Sequence, residues 1–277
     1  MRTDWIKRLW RQPLWRPLRD RPGSAAPETG TACSAIPRTI WIYWDSGWDQ
    51  APALSQDARV SWRVNNPGWT LRDIDLPEAE RLLGPDWRRH DLPETMTPTA
   101  LSNLVRLSLL QRFGGVWADA TTFCVTPLSQ WIDVHAAGGF FAFEKPGQDR
   151  ALATWFLAAE PGNLIVERWL DASWEYWNGR DAQDEFHWVH RRFAILLEKD
   201  REFRDAWAMV NHISARHRLH LSPGHASLDE PPVAADREAV AKRIAPVCKL
   251  TNRRLPAPPG SLGQYLQQIL KKPVGKR

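Results

Sequence analysis

The segment from Thr97 to Pro127, TPTALSNLVRLSLLQRFGGVWADATTFCVTP, constrains the fold more than any other stretch of the chain. Thr97 offers a side-chain oxygen as a helix cap, and Pro98 follows where a missing N–H costs nothing. From Ala100 to Phe113 the residues are mostly Leu and Val, too apolar for a helix on the surface. Ser102, Asn103 and Arg106 nonetheless share one face of it, within roughly 100° of one another. A polar face on such a helix is either paired inside the fold or lines a cleft. Gly114 and Gly115 end the helix by permitting a left-handed cap. Val116, Trp117 and Ala118 then read as a short strand delivering Asp119 at its C-terminal end, the edge at which open α/β sheets bind ligands. One reading sets Arg106, Asn103 and Asp119 around a single cavity. The other makes Arg106 and Asp119 a salt bridge that ties helix to strand.

Around this segment the chain alternates strand and helix, which predicts an α/β fold with a mostly parallel sheet. Thr39 to Trp44 is a β-branched and aromatic run expected as a buried first strand, broken by Asp45-Ser46-Gly47. Trp41 within it is either core or a surface on which a flat base can stack. A second strand is expected over Trp69–Asp75 and a helix over Pro77–Leu83. Asp73 and Asp75 could face a ribose or lie in a solvated turn. Residues 84–96 are irregular and carry no assigned role. Ala137–Glu144 reads as a further strand ending in a carboxylate, which makes Glu144 a candidate for the acceptor side of a cleft. Leu152–Ala159 and Asn163–Tyr176 are expected to be helical, the second with Ile165, Trp169 and Ala172 at helical spacing.

Charge location matters more than the net charge of +5. Residues 1–30 carry 7 Lys/Arg against 3 acids, residues 264–277 carry 4 against none, and residues 31–263 carry 26 against 29. A nucleic-acid binder usually places its basic patch on the folded body, so no nucleic-acid partner is expected. Residues 1–22 interleave Trp5, Trp10 and Trp15 with Lys and Arg, the composition of a segment lying on an anionic membrane; residues 264–277 repeat it more weakly. Solvated arms are the alternative. The expected division is a basic arm and linker at 1–35, a domain at 36–255 and a basic tail at 256–277. Cys33, Cys124 and Cys248 lie far apart, which suggests neither a disulfide framework nor a zinc site. With no span-length apolar run and no signal-peptide core, the expected location is cytoplasmic, with peripheral contact at the inner face of the membrane.

The pattern S-N-L-x-R-L-x-L-L-x-x-x-G-G-V-W-x-D-A-T over Ser102–Thr121 resembles the core of glycosyltransferases with a DXD-type sugar-nucleotide site. That group includes the capsular polysaccharide synthesis proteins and, remotely, the clostridial glucosylating toxins. Ile36-Pro37…Trp44, Asn66-Pro67-Gly68-Trp69, Phe186…His190 and Lys249-Leu250-Thr251 are similar to further segments of the capsular family, so the likeness runs from about Ile36 to Thr251.

The resemblance implies a GT-A-like nucleotide-sugar fold and transfer, with retention, from a UDP-sugar to a glycan or lipid-linked glycan acceptor. It implies that Asp119, Arg106 and Asn103 are catalytic and that Trp41 lies against uracil. Tyr43, Ser102, Glu144 and Lys249 would bind substrate, Lys249 as a clamp on the leaving phosphates. Asp119, Thr121 and His190 would hold Mn²⁺ or Mg²⁺. Two departures stand out. Thr121 replaces the second acid of the D-x-D, and a hydroxyl is a poorer ligand for a hard cation. Asn103 stands where the wider family has Asp, which loses a carboxylate. The runner-up function is a catalytically weak glycan- or nucleotide-sugar-binding scaffold in a polysaccharide-assembly complex.

Overall fold

The structure, a computed structural model, describes residues 36–216, 220, 229–250, 257–270 and 272–273. The basic arm expected at 1–35 lies outside them. A six-stranded sheet organises the rest, in the order β2-β1-β3-β6-β5-β7: β1 (Thr39–Tyr43), β2 (Thr70–Ile74), β3 (Gly115–Ala118), β5 (Phe140–Glu144), β6 (Leu152–Ala159) and β7 (Ile213–Ser214). β1 runs parallel to β2 and β3, and β5 parallel to β7, while β6 runs antiparallel to both β3 and β5. Three of the five pairings are thus parallel, as the alternating pattern predicts. A second, two-stranded ladder joins β4 (Thr122–Cys124) to β8 (Val247–Lys249) in antiparallel register.

Leu152–Ala159 is the main correction. It is a strand, not a helix, and it lies between β3 and β5 with seven of its eight residues buried. A short apolar run buried on both faces loses the period-2 signature, and its alanines favour a helix in isolation. Tertiary pairing overrides that preference.

Period-2 alternation sorts the strands onto two faces. Trp41, Tyr43, Trp117 and Leu157 join one cluster; Ile40, Ile42, Val116, Phe156 and Ala158 join another. Helix α1 (Ala53–Asn65) sends Trp62 into the second face. Helix α2 (Leu76–Leu83) is capped by Asp75, whose carboxylate accepts from the Glu78 N–H at 3.0 Å. Asp73 pairs with Arg59 at 2.9 Å and Arg63 at 3.1 Å. Both aspartates are thereby occupied structurally.

Helix α3 (Pro98–Phe113) begins as its sequence predicts: the Thr97 hydroxyl accepts from the Ala100 N–H at 3.1 Å. It is buried along most of its length and lies on the first face with α5 (Leu164–Trp177), which follows the single-turn α4 (Ile132–His135). Gly115 has φ +96°, and a Cβ there would stand 2.6 Å from the Thr39 carbonyl oxygen. Glycine at this position lets β3 leave the helix and pair at once with β1.

Helices α6 (Trp188–Lys199) and α7 (Arg201–Ala208) complete the first face through Phe193 and Phe203. A third cluster gathers α1, β4, β8, α8 (Ala234–Ala241) and α9 (Leu262–Leu270). The described residues from 36 onward, α9 among them, belong to one compact unit. Leu266 and Leu270, read in the sequence as part of a membrane-facing tail, are 0 % exposed, buried with Leu54, Phe123 and Cys248. No helix among the described residues is long and apolar enough to cross a membrane.

Candidate functional site

Asp119 leaves the C-terminal end of β3, and three side chains from three parts of the chain converge on it. Arg106 Nη2 donates to Asp119 Oδ1 at 2.8 Å, and Trp117 Nε1 donates to the same oxygen at 2.9 Å. Lys249 Nζ stands 3.3 Å from Oδ2 and also donates to the Thr121 hydroxyl. Arg106 Nη1 donates to Asn103 Oδ1 at 2.6 Å, and its guanidinium carbon lies 4.9 Å from the Trp117 ring. The Arg106 side chain is 5 % exposed, whereas Asp119 and Lys249 are 26 % and 21 % exposed. The cluster therefore has a sealed arginine and an open rim made by the carboxylate and the lysine.

Each placement has a local cause. Arg106 and Asn103 are three residues apart on α3, one turn of a helix whose other faces are apolar. Trp117 and Asp119 alternate onto the same side of β3. Lys249 crosses 130 residues of sequence because β8 pairs with β4, setting Lys249 opposite Thr122. The Leu250 N–H donates to the Thr121 carbonyl at 2.9 Å and fixes the next residue too. Sequence reasoning missed Trp117, although its two-residue spacing from Asp119 is the signal that would have found it.

Electrostatics follows the same geometry. Burial would raise the Asp119 pKa, but Arg106 and Lys249 together outweigh it and hold the carboxyl below its ordinary range. Burial lowers the pKa of Arg106 while Asp119 opposes it, and a guanidinium keeps its proton in either case. Arg106 Nε is sealed from solvent without a hydrogen-bond partner.

The structure brings together Arg106, Asn103, Asp119, Thr121 and Lys249. It leaves other expected residues elsewhere. Trp41 is 4 % exposed, donates through Nε1 to the Gly114 carbonyl at 2.8 Å and packs against Phe113; its ring belongs to the core, with no free face for a base. Tyr43 is buried too, donates to Asp45 at 2.5 Å and packs against Trp117, so it reaches the cluster only through that ring. Burial and then Asp45 push its pKa upward. Ser102, expected to bind substrate, and Asn103, expected to be catalytic, both donate to the Thr99 carbonyl, at 2.8 and 3.1 Å, so these donors are turned onto their own helix. This explains the Asn at 103: an amide supplies an acceptor to Arg106 and a donor to Thr99, which a carboxylate cannot do. Glu144 ends β5 at the same sheet edge, two strands from β3, and pairs with Lys145 at 3.5 Å.

His190, in the first turn of α6, is half-buried, with Nδ1 sealed and unpartnered. Its pKa is pushed down to about 3, first by burial and then by the positive charges of His187, Arg150 and Arg106. No hydrogen bond or ion pair joins it to Asp119 or Thr121. Among the described residues no group of three or more His, Cys, Asp and Glu side chains could hold a metal ion. The two oxygens of the D-A-T segment instead share the Lys249 ammonium.

Three comparisons bear on this arrangement. The chain is similar to an O-glycosyltransferase, PaGT, from Phomopsis amygdali, 29% identical over 172 residues, which covers 54% of this chain and 41% of the relative. It is similar to glycosyltransferase afumC from Aspergillus fumigatus, 29% identical over 174 residues, with 54% and 43% covered. The chain thus spans less than half the length of these curated relatives. Among solved structures, the PaToxG glycosyltransferase superposes with a TM-score of 0.42 at 14% identity, covering 64% of this chain and 78% of that one. The capsular polysaccharide synthesis protein family matches residues 27–254, most of the 277-residue chain and the whole Arg106–Asp119–Lys249 cluster. The chain belongs to the capsular polysaccharide synthesis protein family.

Proposed function

We propose that the protein is a glycosyltransferase that moves a sugar from a UDP-sugar to a glycan or lipid-linked glycan acceptor in surface polysaccharide synthesis. The observation that carries this reading is the rim formed by Asp119 and Lys249, backed by Arg106, at the C-terminal edge of β3. In glycosyl transfer the bond between the anomeric carbon and the diphosphate oxygen breaks, and that oxygen keeps the electron pair. The acceptor hydroxyl oxygen forms the new bond to carbon, and its proton leaves with the diphosphate. Fixed cations aimed at the leaving group lower the barrier because they stabilise charge that grows only in the transition state. Asp119 tethers both cations and offers carboxylate lone pairs to a sugar or ribose hydroxyl at the open side. Retention at the anomeric carbon and a GT-A-like fold belong to this proposal through the family resemblance. So does peripheral contact between the Trp-rich basic residues 1–22 and an anionic membrane.

A second reading, a scaffold that binds nucleotide sugars without transferring them, is favoured by one observation. Asp119 Oδ1 already accepts from both Arg106 and Trp117. Slow hydrolysis of a UDP-sugar in the absence of acceptor separates the two. The transferase reading expects hydrolysis above background that Asp119→Asn reduces at least tenfold while leaving the protein folded. Binding of UDP-sugars with no turnover would sink the transferase reading and leave the scaffold. No binding of any nucleotide sugar would sink both.

A further inference from the structure

Deepening the transferase reading, on which it rests, we propose that Lys249 supplies the charge a divalent cation would otherwise bring, so that the diphosphate of the donor binds without metal. In a D-x-D site two carboxylates hold a cation, which in turn holds the diphosphate. Here the second acid is Thr121, and the Lys249 ammonium contacts the Asp119 Oδ2 and the Thr121 Oγ1 together. It occupies the place between the two side chains of the motif. The remaining carboxylate oxygen is engaged by Arg106 and Trp117.

Charge counting leads the same way. A pair of carboxylates carries −2 and calls for a dication. Asp119 alone carries −1 and faces two fixed cations, so the cluster is already at +1, matched to a diphosphate and repulsive to Mn²⁺. Lys249 is also a built-in feature rather than a loose surface lysine. The Thr122–Lys249 register and the Leu250 N–H bond to the Thr121 carbonyl anchor its backbone. Its side chain, 21 % exposed, keeps a route to solvent. An ammonium has three donors; two reach Thr121 and Asp119, and the third is available to a phosphate oxygen. Lysine serves phosphate groups well as a point charge. The step stays balanced as in the transfer above: the departing diphosphate oxygen keeps the electron pair and Lys249 compensates its charge.

The test is calorimetric binding of UDP, GDP, ADP and dTDP to the full chain in EDTA and in excess Mn²⁺, with Mn²⁺ paramagnetic resonance as a second readout. Wild-type protein is expected to bind one of these nucleotides in EDTA with an affinity within about twofold of that in Mn²⁺. Adding the protein to Mn²⁺ alone is expected to leave the free-ion signal unchanged. Lys249→Met should lower the affinity in EDTA at least tenfold, and Lys249→Arg should recover part of it, with circular dichroism confirming that both are folded. Should Lys249→Met fail to fold, the wild-type comparison decides alone. Binding that vanishes in EDTA and returns with Mn²⁺ overturns the inference and leaves the transferase reading standing. Lys249→Met binding as tightly as wild type also overturns it. Absence of binding in every condition overturns the donor site itself, and the inference with it.

Discussion

Removing the Asp119 carboxylate tests how the site is held together. In Asp119→Ala the Arg106 guanidinium, 5 % exposed, keeps Asn103 on Nη1 and loses its counter-charge on Nη2. Stranding one member of a buried ion pair costs about 3–5 kcal/mol. Asp119 is itself 26 % exposed, so water can enter the vacated space and the expected cost is at the lower end, about 3 kcal/mol. Asp119→Asn keeps an oxygen for Arg106 and Trp117 and turns charge-assisted bonds into neutral ones, a loss of about 1 kcal/mol. In an Arg106→Met background the buried charge is gone, and Asp119→Ala should then cost only about 1 kcal/mol. The expected coupling between the two sites is thus about 2 kcal/mol. Urea unfolding followed by tryptophan fluorescence and circular dichroism measures all four proteins, with coincident transitions as the check on two-state behaviour. If Asp119→Ala costs under about 0.5 kcal/mol, or the coupling falls within the same margin of additivity, the pair is not buried as described and the reasoning fails.

His190 gives a pH prediction. Its pKa of about 3 in the fold lies below the ordinary 6.5, so the unfolded chain binds a proton that the native protein refuses. Stability is then fully present above about pH 6.5 and falls as pH drops toward 3, by up to about 3 kcal/mol at pH 4. His190→Gln should flatten that limb of a stability–pH curve measured by denaturant midpoint, and an unchanged slope would refute the assignment. Trp41→Phe should cost about 1–3 kcal/mol through the unpaired Gly114 carbonyl and leave nucleotide affinity of the folded protein unchanged. A loss of affinity at constant stability would restore the base-stacking role. Leu266→Asp buries a charge at a position 0 % exposed and should cost about 4 kcal/mol or more in thermal or urea unfolding. A change below about 1 kcal/mol would show α9 to be peripheral to the fold.

The candidate site was legible where local rules suffice. Thr97-Pro98, the apolar run of α3 with Asn103 and Arg106 one turn apart, and the double glycine before β3 each carry a spacing with one physical meaning. Together they deliver Arg106 to Asp119, where the two form the ion pair that the second expectation described. Legibility ended where the answer depends on a distant partner. Leu152–Ala159 is a strand because β3 and β5 flank it, and its own residues contain no trace of them. Trp41 could be surface or core until Phe113 and the Gly114 carbonyl closed around it. Tyr265–Leu270 has the same composition whether it meets lipid or, as here, Leu54 and Phe123.

By itself, then, the sequence determined the helix–turn–strand that sets Asp119 at a sheet edge, because capping, periodicity and glycine backbone freedom act within a few residues. Only the tertiary structure decided that Lys249 would stand between Asp119 and Thr121. That contact spans 128–130 residues and exists because β8 pairs with β4. Strand register is a property of two segments at once, and neither segment encodes it alone.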